Sequence, residues 1–493
     1  MAAAAKVLPS LTAIFLLVHL VTTVAASSVG HEIRRGFSAA HDTSYSQFQP
    51  LLADPTGVFS LGFLRAAASD SDSDSDQLNL VVLHLASSTA LWHAALARSL
   101  LWEAPVSLSF NGSLVLSDAE TGILWSTPAI DAGDRLVLLN SSNLQVQKLA
   151  EMTAVVVLWE SFDFPANTLV QGQNFTSAAD VKSTDQRFTM RVEESYLALY
   201  MELPGGTPPV MYWRHAAMEA KAEIVAGGGP IYAQVGEGFL GMYQNESAPV
   251  DVLPFKSFNL GIRGFRRLTL ESDGNLRAYY WNGTIWAKDL EAIADRCDIP
   301  TSCGAYGLCD YSGGCGCLDG ARKADRCLPA ASGDFCAAGA NEFGILRRKG
   351  VDLANKVLAA NEKVGSLEEC EASCDRNCSC WGAIYNNASG YCYRLDYPIQ
   401  SLVAADESKE GYFKLRPSGG GGGGGRSRKV KVALLAVGSL VLVGTTTAAV
   451  VAYGVRRRRR GVTARVEGSM VEGLTPGPYK DLNSASFRSI ELS

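Results

Sequence analysis

The sequence predicts a mainly β, multidomain protein with a disulfide-stapled outer part and a single membrane crossing. Three observations carry this. Residues 37–290 alternate short apolar runs with Gly, Asn, Asp and Ser turns; all twelve cysteines fall within 297–392; and two charge-poor apolar segments occupy 8–24 and 432–455. With 493 residues, about three folded units are expected at roughly 150 residues each. Charged residues make up only 19% of the chain, too few and too balanced for a disordered or general nucleic-acid-binding protein. The charge is unevenly placed. Residues 1–425 hold 32 basic and 46 acidic residues, a net of −14, whereas the segment from Arg426 holds 12 and 4. No nucleic acid is expected as a partner.

In chain order, Lys6, the apolar run Leu8–Val24 and the small residues Ala25, Ala26 and Ser27 have the parts of a secretory signal peptide, here 1–26. The apolar run is short for ~30 Å of hydrocarbon, so cleavage is favoured over an uncleaved anchor. The segment VALLAVGSLVLVGTTTAAVVAYGV (432–455) has 24 residues without a charge, long enough to span a bilayer with some tilt. Basic residues flank it on both sides (Arg426, Arg428, Lys429 and Lys431 before; Arg456 to Arg460 after), so the signal peptide decides orientation. The expectation is a type I, single-pass plasma-membrane protein with an extracellular N-terminus and a cytoplasmic tail at 456–493. Seven N-x-[ST] sequons agree with it: Asn111, Asn140, Asn174, Asn245, Asn282, Asn377 and Asn387 all precede the span. Asn377 is the poorest, its middle residue being Cys378.

Between these ends, the runs VFSLGFL (58–64), LNLVVLHLA (78–86), VSLSFNGSLVLS (106–117), GILWS (122–126), RLVLLNSSNLQV (135–146) and VVVLWES (155–161) alternate with period two, the pattern of half-buried strands in a sandwich, barrel or prism. SDSDSD (71–76) reads as a solvated loop. Residues 166–290 repeat the style, in FTMRVEESYLALYMEL (188–203) and FRRLTLESDGNLRAYYW (265–281). SFNGSLVLS and TLESDGNLRAY look like two instances of one hairpin theme.

Cys297, Cys303, Cys309, Cys315, Cys317 and Cys327 put six cysteines in 31 residues of little apolar content, so disulfides must supply the stability. Zinc is the rival, disfavoured because no histidine follows His215 and the secretory route oxidises thiols. No metal and no cofactor is expected; calcium lacks a carboxylate cluster before Cys297. Six cysteines allow 15 pairings. The second block is Cys336, Cys370, Cys374, Cys378, Cys380 and Cys392. Ser366-Leu367-Glu368-Glu369 is a capping box, which starts a helix and sets Cys370 and Cys374 on one face, while 378–385 and 390–395 read as strands.

A family resemblance emerges from these strings. FSLGFL, FNGSLVL, GILWS, LVLLNSSNL and LWESFDFPANTLVQGQ, in that order, resemble a bulb-type (mannose-binding) lectin domain. ESDGNLRAYYW followed by CDIPTSCGAYGLC resembles the S-locus-glycoprotein segment of plant S-domain receptor-like proteins. The resemblance implies a β-prism lectin domain (37–165), a second lectin-like β domain (166–296), an EGF-like module (297–327) and a PAN/apple module (336–416), which ECEASCDRNCSCWGAIY resembles. It implies the pairs Cys297–Cys309, Cys303–Cys315 and Cys317–Cys327, then Cys370–Cys392, with Cys374 joined to Cys378 or Cys380. A Gly-rich stalk (417–431), with Gly419 to Gly425, leads to the membrane. A phosphate-binding loop there is dismissed for want of Lys-Ser/Thr and a following helix.

Mannose-binding members carry Q-x-D-x-N-x-V-x-Y, and this chain departs from it at each candidate. Ser109, Asn111, Ser113, Val115, Ser117 keeps only Val115. Leu139, Ser141, Asn143, Gln145, Gln147 keeps only Asn143. The fullest match, Glu271, Asp273, Asn275, Arg277, Tyr279, retains Asp273, Asn275 and Tyr279 as carbohydrate-binding candidates. Sequons at Asn111 and Asn140 would put glycans over the first two. No G-x-S-x-G, H-E-x-x-H, Walker or kinase glycine loop stands in a suitable context, and 38 tail residues are too few for a kinase domain, so a non-enzyme is expected. The resulting expectation is a kinase-less receptor-like protein or co-receptor. It would recognise an extracellular protein or glycan ligand and work with a separate membrane receptor kinase. A carbohydrate-binding adhesion protein is the alternative.

Overall fold

The computed structural model describes residues 29–415 apart from 68–75, 129–132, 151–153, 204–207, 217–227, 245–247, 301, 321–326, 328–334, 337–342 and 397–398, together with 451 and 453–456. The expected signal peptide, the stalk, almost all of the span, the tail beyond Arg456 and Asn245 lie outside the described residues. Among the described residues no helix is long and apolar enough to cross a membrane.

The alternation of the N-terminal half becomes three four-stranded antiparallel sheets around one core. The first is a simple meander, Phe48–Ala53, Phe59–Ala66, Gln77–His84 and Thr89–His93. The second takes Phe37–Ala40 beside Val106–Phe110, Leu114–Asp118 and Gly122–Ser126, and the third takes Glu32–Arg34 beside Arg135–Leu138, Leu144–Leu149 and Val155–Glu160. Two short N-terminal strands thus each complete a sheet whose other members come some 70 to 100 residues later. Period two does its work: Val106, Leu108 and Phe110 face inward with Leu114 and Leu116 opposite, and Leu61, Phe63, Leu80, Val82, Leu136 and Val146 join the same core. The first turn is pinned by the buried Asp54, whose carboxylate accepts the Val58 and Phe59 backbone N–H groups, each at 2.7 Å. Those bonds favour the ionised form and hold its pKa below the ordinary carboxylate value despite burial.

The next unit repeats this topology strand for strand. Val181–Lys182, Phe188–Val192, Tyr196–Met201 and Val210–Ala216 form the meander. Asn174–Phe175 completes Tyr232–Val235, Phe239–Tyr243 and Asp251–Pro254, and Thr168–Val170 completes Arg266–Leu270, Leu276–Trp281 and Trp286–Glu291. A second core, including Leu169, Phe175, Met190, Leu199, Leu240, Met242, Leu268 and Leu276, lies between them. The internal repeat is therefore a repeat of whole three-sheet bodies. TLESDGNLRAY (269–279) matches 137–147 in topology, not the Asn111 hairpin.

The cysteine-rich part forms two sheets. Five strands (Gly344–Lys349, Lys409–Leu415, Cys380–Asn386, Tyr391–Asp396, Asn361–Lys363) carry the helix Leu367–Asp375. Ser366 caps that helix by accepting the Glu369 N–H at 3.3 Å, and the Glu369 carboxylate reaches one residue further back, accepting the Gly365 N–H at 2.7 Å. Disulfides tie the helix to the sheet through Cys370–Cys392 and Cys374–Cys380, and Cys336–Cys378 closes the largest loop. The buried Lys414 donates to the Cys374 carbonyl at 3.1 Å, near the helix C-terminus where a cation is favoured.

In the preceding block the bridges are Cys297–Cys309, Cys303–Cys315 and Cys317–Cys327. Its strand Gly307–Asp310 pairs in parallel with Leu402–Ala404, and Tyr306, Leu308 and Leu318 share a core with Trp381, Ile399 and Phe413. The two cysteine blocks thus pack as one body.

Candidate functional site

The motif residues sit at the turn between Arg266–Leu270 and Leu276–Trp281 and along the second of these strands. Asp273 accepts the Asn275 N–H at 2.9 Å and pairs with Arg277 at 2.8 Å. Tyr279 donates to Glu271 at 2.8 Å while the Arg267 guanidinium lies 4.2 Å from its ring centroid. Burial, helped by the Glu271 carboxylate, pushes the Tyr279 hydroxyl up to about 12. Asn275 is 1% exposed. Its amide donates to the Ile293 carbonyl at 2.7 Å and accepts the Ile293 N–H at 3.1 Å, so it anchors the turn to the following chain and offers nothing to a ligand.

The equivalent position in the first body behaves alike. Asn143 donates to Glu160 at 2.7 Å and accepts from Ser161 at 3.3 Å and the Phe162 N–H at 3.4 Å. Beside it, Gln145 also donates to Glu160 at 2.8 Å and Gln147 donates to Gln145 at 2.7 Å, a polar ladder where the lectin motif has valine and tyrosine. Both asparagines that match the motif are structural pins. Sequence reading missed this because the turn and the sugar site use the same residue type.

The sequon asparagines Asn111, Asn140, Asn174, Asn282 and Asn387 are exposed. The Asn282 side chain accepts the N–H groups of Thr284 and Ile285, each at 2.9 Å. Asn377 is half-buried and accepts from both the N–H and the hydroxyl of Ser379 at 3.0 Å, beside the bridged Cys378. Among the described residues, no cluster of three or more His, Cys, Asp or Glu is arranged to hold a metal ion.

A better-built site lies elsewhere, and the sequence did not signal it. A cleft of about 530 Å³ opens where the two three-sheet bodies meet. Its floor is a trio of tryptophans, Trp92, Trp125 and Trp159, packed edge to face at 5.7 to 6.1 Å between ring centroids. Phe164 stacks on Trp159 at 5.9 Å and 18°, and the Trp92 indole N–H donates to the Phe164 carbonyl at 2.8 Å. Whereas Trp92 and Trp159 are buried, Phe164 is 51% exposed and presents an open ring at the cleft. Asp163 stands next to it. Partial burial and the nearby Glu160 carboxylate raise its pKa above the ordinary carboxylate value. His93 lines the cleft, and burial chiefly lowers its pKa below the ordinary imidazole value. The opposite wall, from the second body, brings Asp180, Lys182 and Gln186. The tryptophans are 33 or more residues apart on different sheets, so no local spacing could have revealed them.

Known proteins fit this architecture. The D-mannose binding lectin family matches residues 89–191, which run from the end of the first meander into the second body, and the S-locus glycoprotein domain matches 252–325. A PAN domain-containing protein of Arabidopsis thaliana is 44% identical over 466 residues, covering 94% of this chain and 92% of that protein. Two G-type lectin S-receptor-like serine/threonine-protein kinases of the same plant are 24% and 25% identical, covering 69% and 68% of this chain. The chain spans only 43% and 40% of those kinases. Among solved structures, a Japanese Marasmius oreades lectin is 17% identical with a TM-score of 0.19, covering 26% of this chain and 94% of its own, a likeness that carries no argument. By the two matched domains and the 44% identity over nearly its whole length, the chain belongs to the plant S-domain family of lectin and S-locus-glycoprotein domain proteins.

Proposed function

We propose that the protein is a receptor-like cell-surface glycoprotein whose outer part recognises an extracellular ligand. Residues 432–455 would anchor it, and a separate receptor kinase would supply the signal. The observation that carries this reading is the cleft between the two β bodies, with an open aromatic ring and, beside it, a carboxylate that pairs with no cation among the described residues. Such a concave, mostly apolar site with a few placed polar groups is the usual form of a ligand pocket. Kinship with receptor kinases supports the partnership. A tagged full-length protein is expected at the plasma membrane with its N-terminus outside, and to co-purify with a receptor kinase from membranes. Steady-state residence in an internal compartment would replace this reading with a secretory-pathway role.

A second reading, a carbohydrate-binding adhesion protein, is favoured by the match to the mannose-binding lectin family. Against a mannose site of the familiar type stands the use of Asn275 and Asn143 as pins. Binding of the full-length protein on a glycan array discriminates the two.

A further inference from the structure

This chain repeatedly builds one device, in which an arginine near the surface lies over a buried aromatic ring and pairs with a carboxylate. Arg65 lies 5.7 Å from the Trp102 centroid and pairs with Asp76 at 2.6 Å. Arg191 does the same with Tyr200 and Asp180, at 5.2 and 3.2 Å. Arg347 lies 5.8 Å from the Tyr412 ring and meets both oxygens of Glu371 at 2.6 and 2.7 Å. Arg187 joins the Phe188 ring to Asp185. Phe164 and Asp163 offer the same two partners without the arginine. Among the described residues no cation pairs with Asp163 or lies over Phe164. Lys182 lines the cleft but makes no ion pair with Asp163, and Asp180 on the far wall is already taken by Arg191.

We propose that the cleft receives the guanidinium of an arginine side chain from an extracellular polypeptide, stacked on Phe164 and paired with Asp163. The proposal deepens the ligand-recognition reading above and rests on it. A planar guanidinium suits this place better than a compact ammonium, because it extends the Trp159–Phe164 stack and can meet both carboxylate oxygens. The tryptophans below, Trp92 and Trp159 buried and Trp125 partly so, are packed edge to face and do not form an open cage around a rounder cation. The incoming charge would relieve the field of Asp163 and Glu160, two carboxylates that lean on each other. The net charge of −14 in residues 1–425 would draw a basic partner toward the outer part as a whole.

The test uses the full-length protein in detergent micelles at 0.15 M salt and a fluorescein-labelled peptide, Gly-Ser-Arg-Arg-Ser-Gly, read by fluorescence anisotropy. A twin peptide has citrulline, isosteric and neutral, in place of both arginines. The arginine peptide is expected to bind at least tenfold tighter than its twin. Asp163→Asn and Phe164→Ala should each weaken it about tenfold, while Glu120→Gln, at an exposed turn outside the cleft, changes it less than twofold. Surface delivery and the thermal unfolding midpoint of each variant report that it has folded. Equal binding of the twin, equal losses in Asp163→Asn and Glu120→Gln, or no measurable binding would each overturn the proposal. So would an oligosaccharide probe that binds and is lost in Phe164→Ala while the arginine peptide fails, which would make the cleft a sugar site. A protein that sits at the surface and co-purifies with a kinase yet ignores the arginine peptide would sink this proposal alone.

Discussion

His84 shows how much a single side chain contributes at the seam between the two β bodies. Its ring lies among Phe59, Trp281 and Trp286, at 4.9 to 5.7 Å between centroids, and its Nδ1 shares a 2.7 Å hydrogen bond with the Ser87 hydroxyl. Ser87 and Thr89 together accept the Trp286 indole N–H at 2.8 and 3.0 Å. Arg267 lies 5.0 Å from the Trp286 centroid. Burial lowers the His84 pKa below the ordinary value of about 6.5, so the folded state binds fewer protons than the unfolded one. Its contribution is present above pH ~6.5 and is lost as pH falls through the lower folded value. His41 and His93 act with the same sign. The thermal midpoint of the full-length protein should therefore drop between pH 7.5 and 5, and His84→Phe should shallow that drop; an unchanged slope would clear His84 of the role. Asn275→Ala should destabilise the second β body by about 1–3 kcal/mol, read from its unfolding curve, because it leaves both polar groups of the Ile293 backbone unmet. At this scale the sequence misleads as well as informs. Asp-Gly-Asn in a hairpin looks the same whether its asparagine faces a sugar or a backbone, and only the neighbouring chain at Ile293 decides.

Elements read better than residues where their stabilising contacts are local. The long strands announce themselves by period two, and Ser366 to Glu369 announces the helix start, because those signals depend on near neighbours. Glu32–Arg34 and Phe37–Ala40 were invisible: three or four residues carry no period, and their partners, Arg135–Leu138 and Val106–Phe110, lie far along the chain. The same blindness hides the parallel pairing of Gly307–Asp310 with Leu402–Ala404. The helix Leu367–Asp375 supplies two graded tests. Ser366→Ala removes one cap bond and should cost about 1 kcal/mol, lowering the midpoint while leaving the protein at the surface. Cys370→Ser removes the bridge that staples the buried helix face to Tyr391–Asp396, a loss of roughly 2–4 kcal/mol in a body with a small apolar core. That variant should be retained in the secretory pathway and become protease-sensitive in its C-terminal body. Normal surface level with unchanged protease resistance would show that the sheet holds the helix without it.

For the whole molecule, the question is how recognition outside could reach the cytoplasm. In the proposed receptor the two β bodies and the cysteine-rich body lie outside, and residues 432–455 would carry any signal across. Arg456 to Arg460 would lie at the anionic inner leaflet, where each basic residue is worth about 1 kcal/mol, enough to fix the depth of the span. Beyond them, 474–493 is rich in Pro, Gly and Ser and lies outside the described residues. Thr475, Tyr479, Ser484, Ser486 and Ser489 are its hydroxyl acceptors, and phosphate there would add charge able to recruit or release a partner. Truncation after Arg460 separates anchoring from signalling. It keeps the proposed span and the basic run behind it, so insertion and surface level should stay unchanged. If the tail couples to the kinase, co-purification with that kinase should be abolished. If the truncated protein still brings the kinase down, the coupling runs through the outer bodies or the membrane helix, and the tail serves only to hold the protein in place.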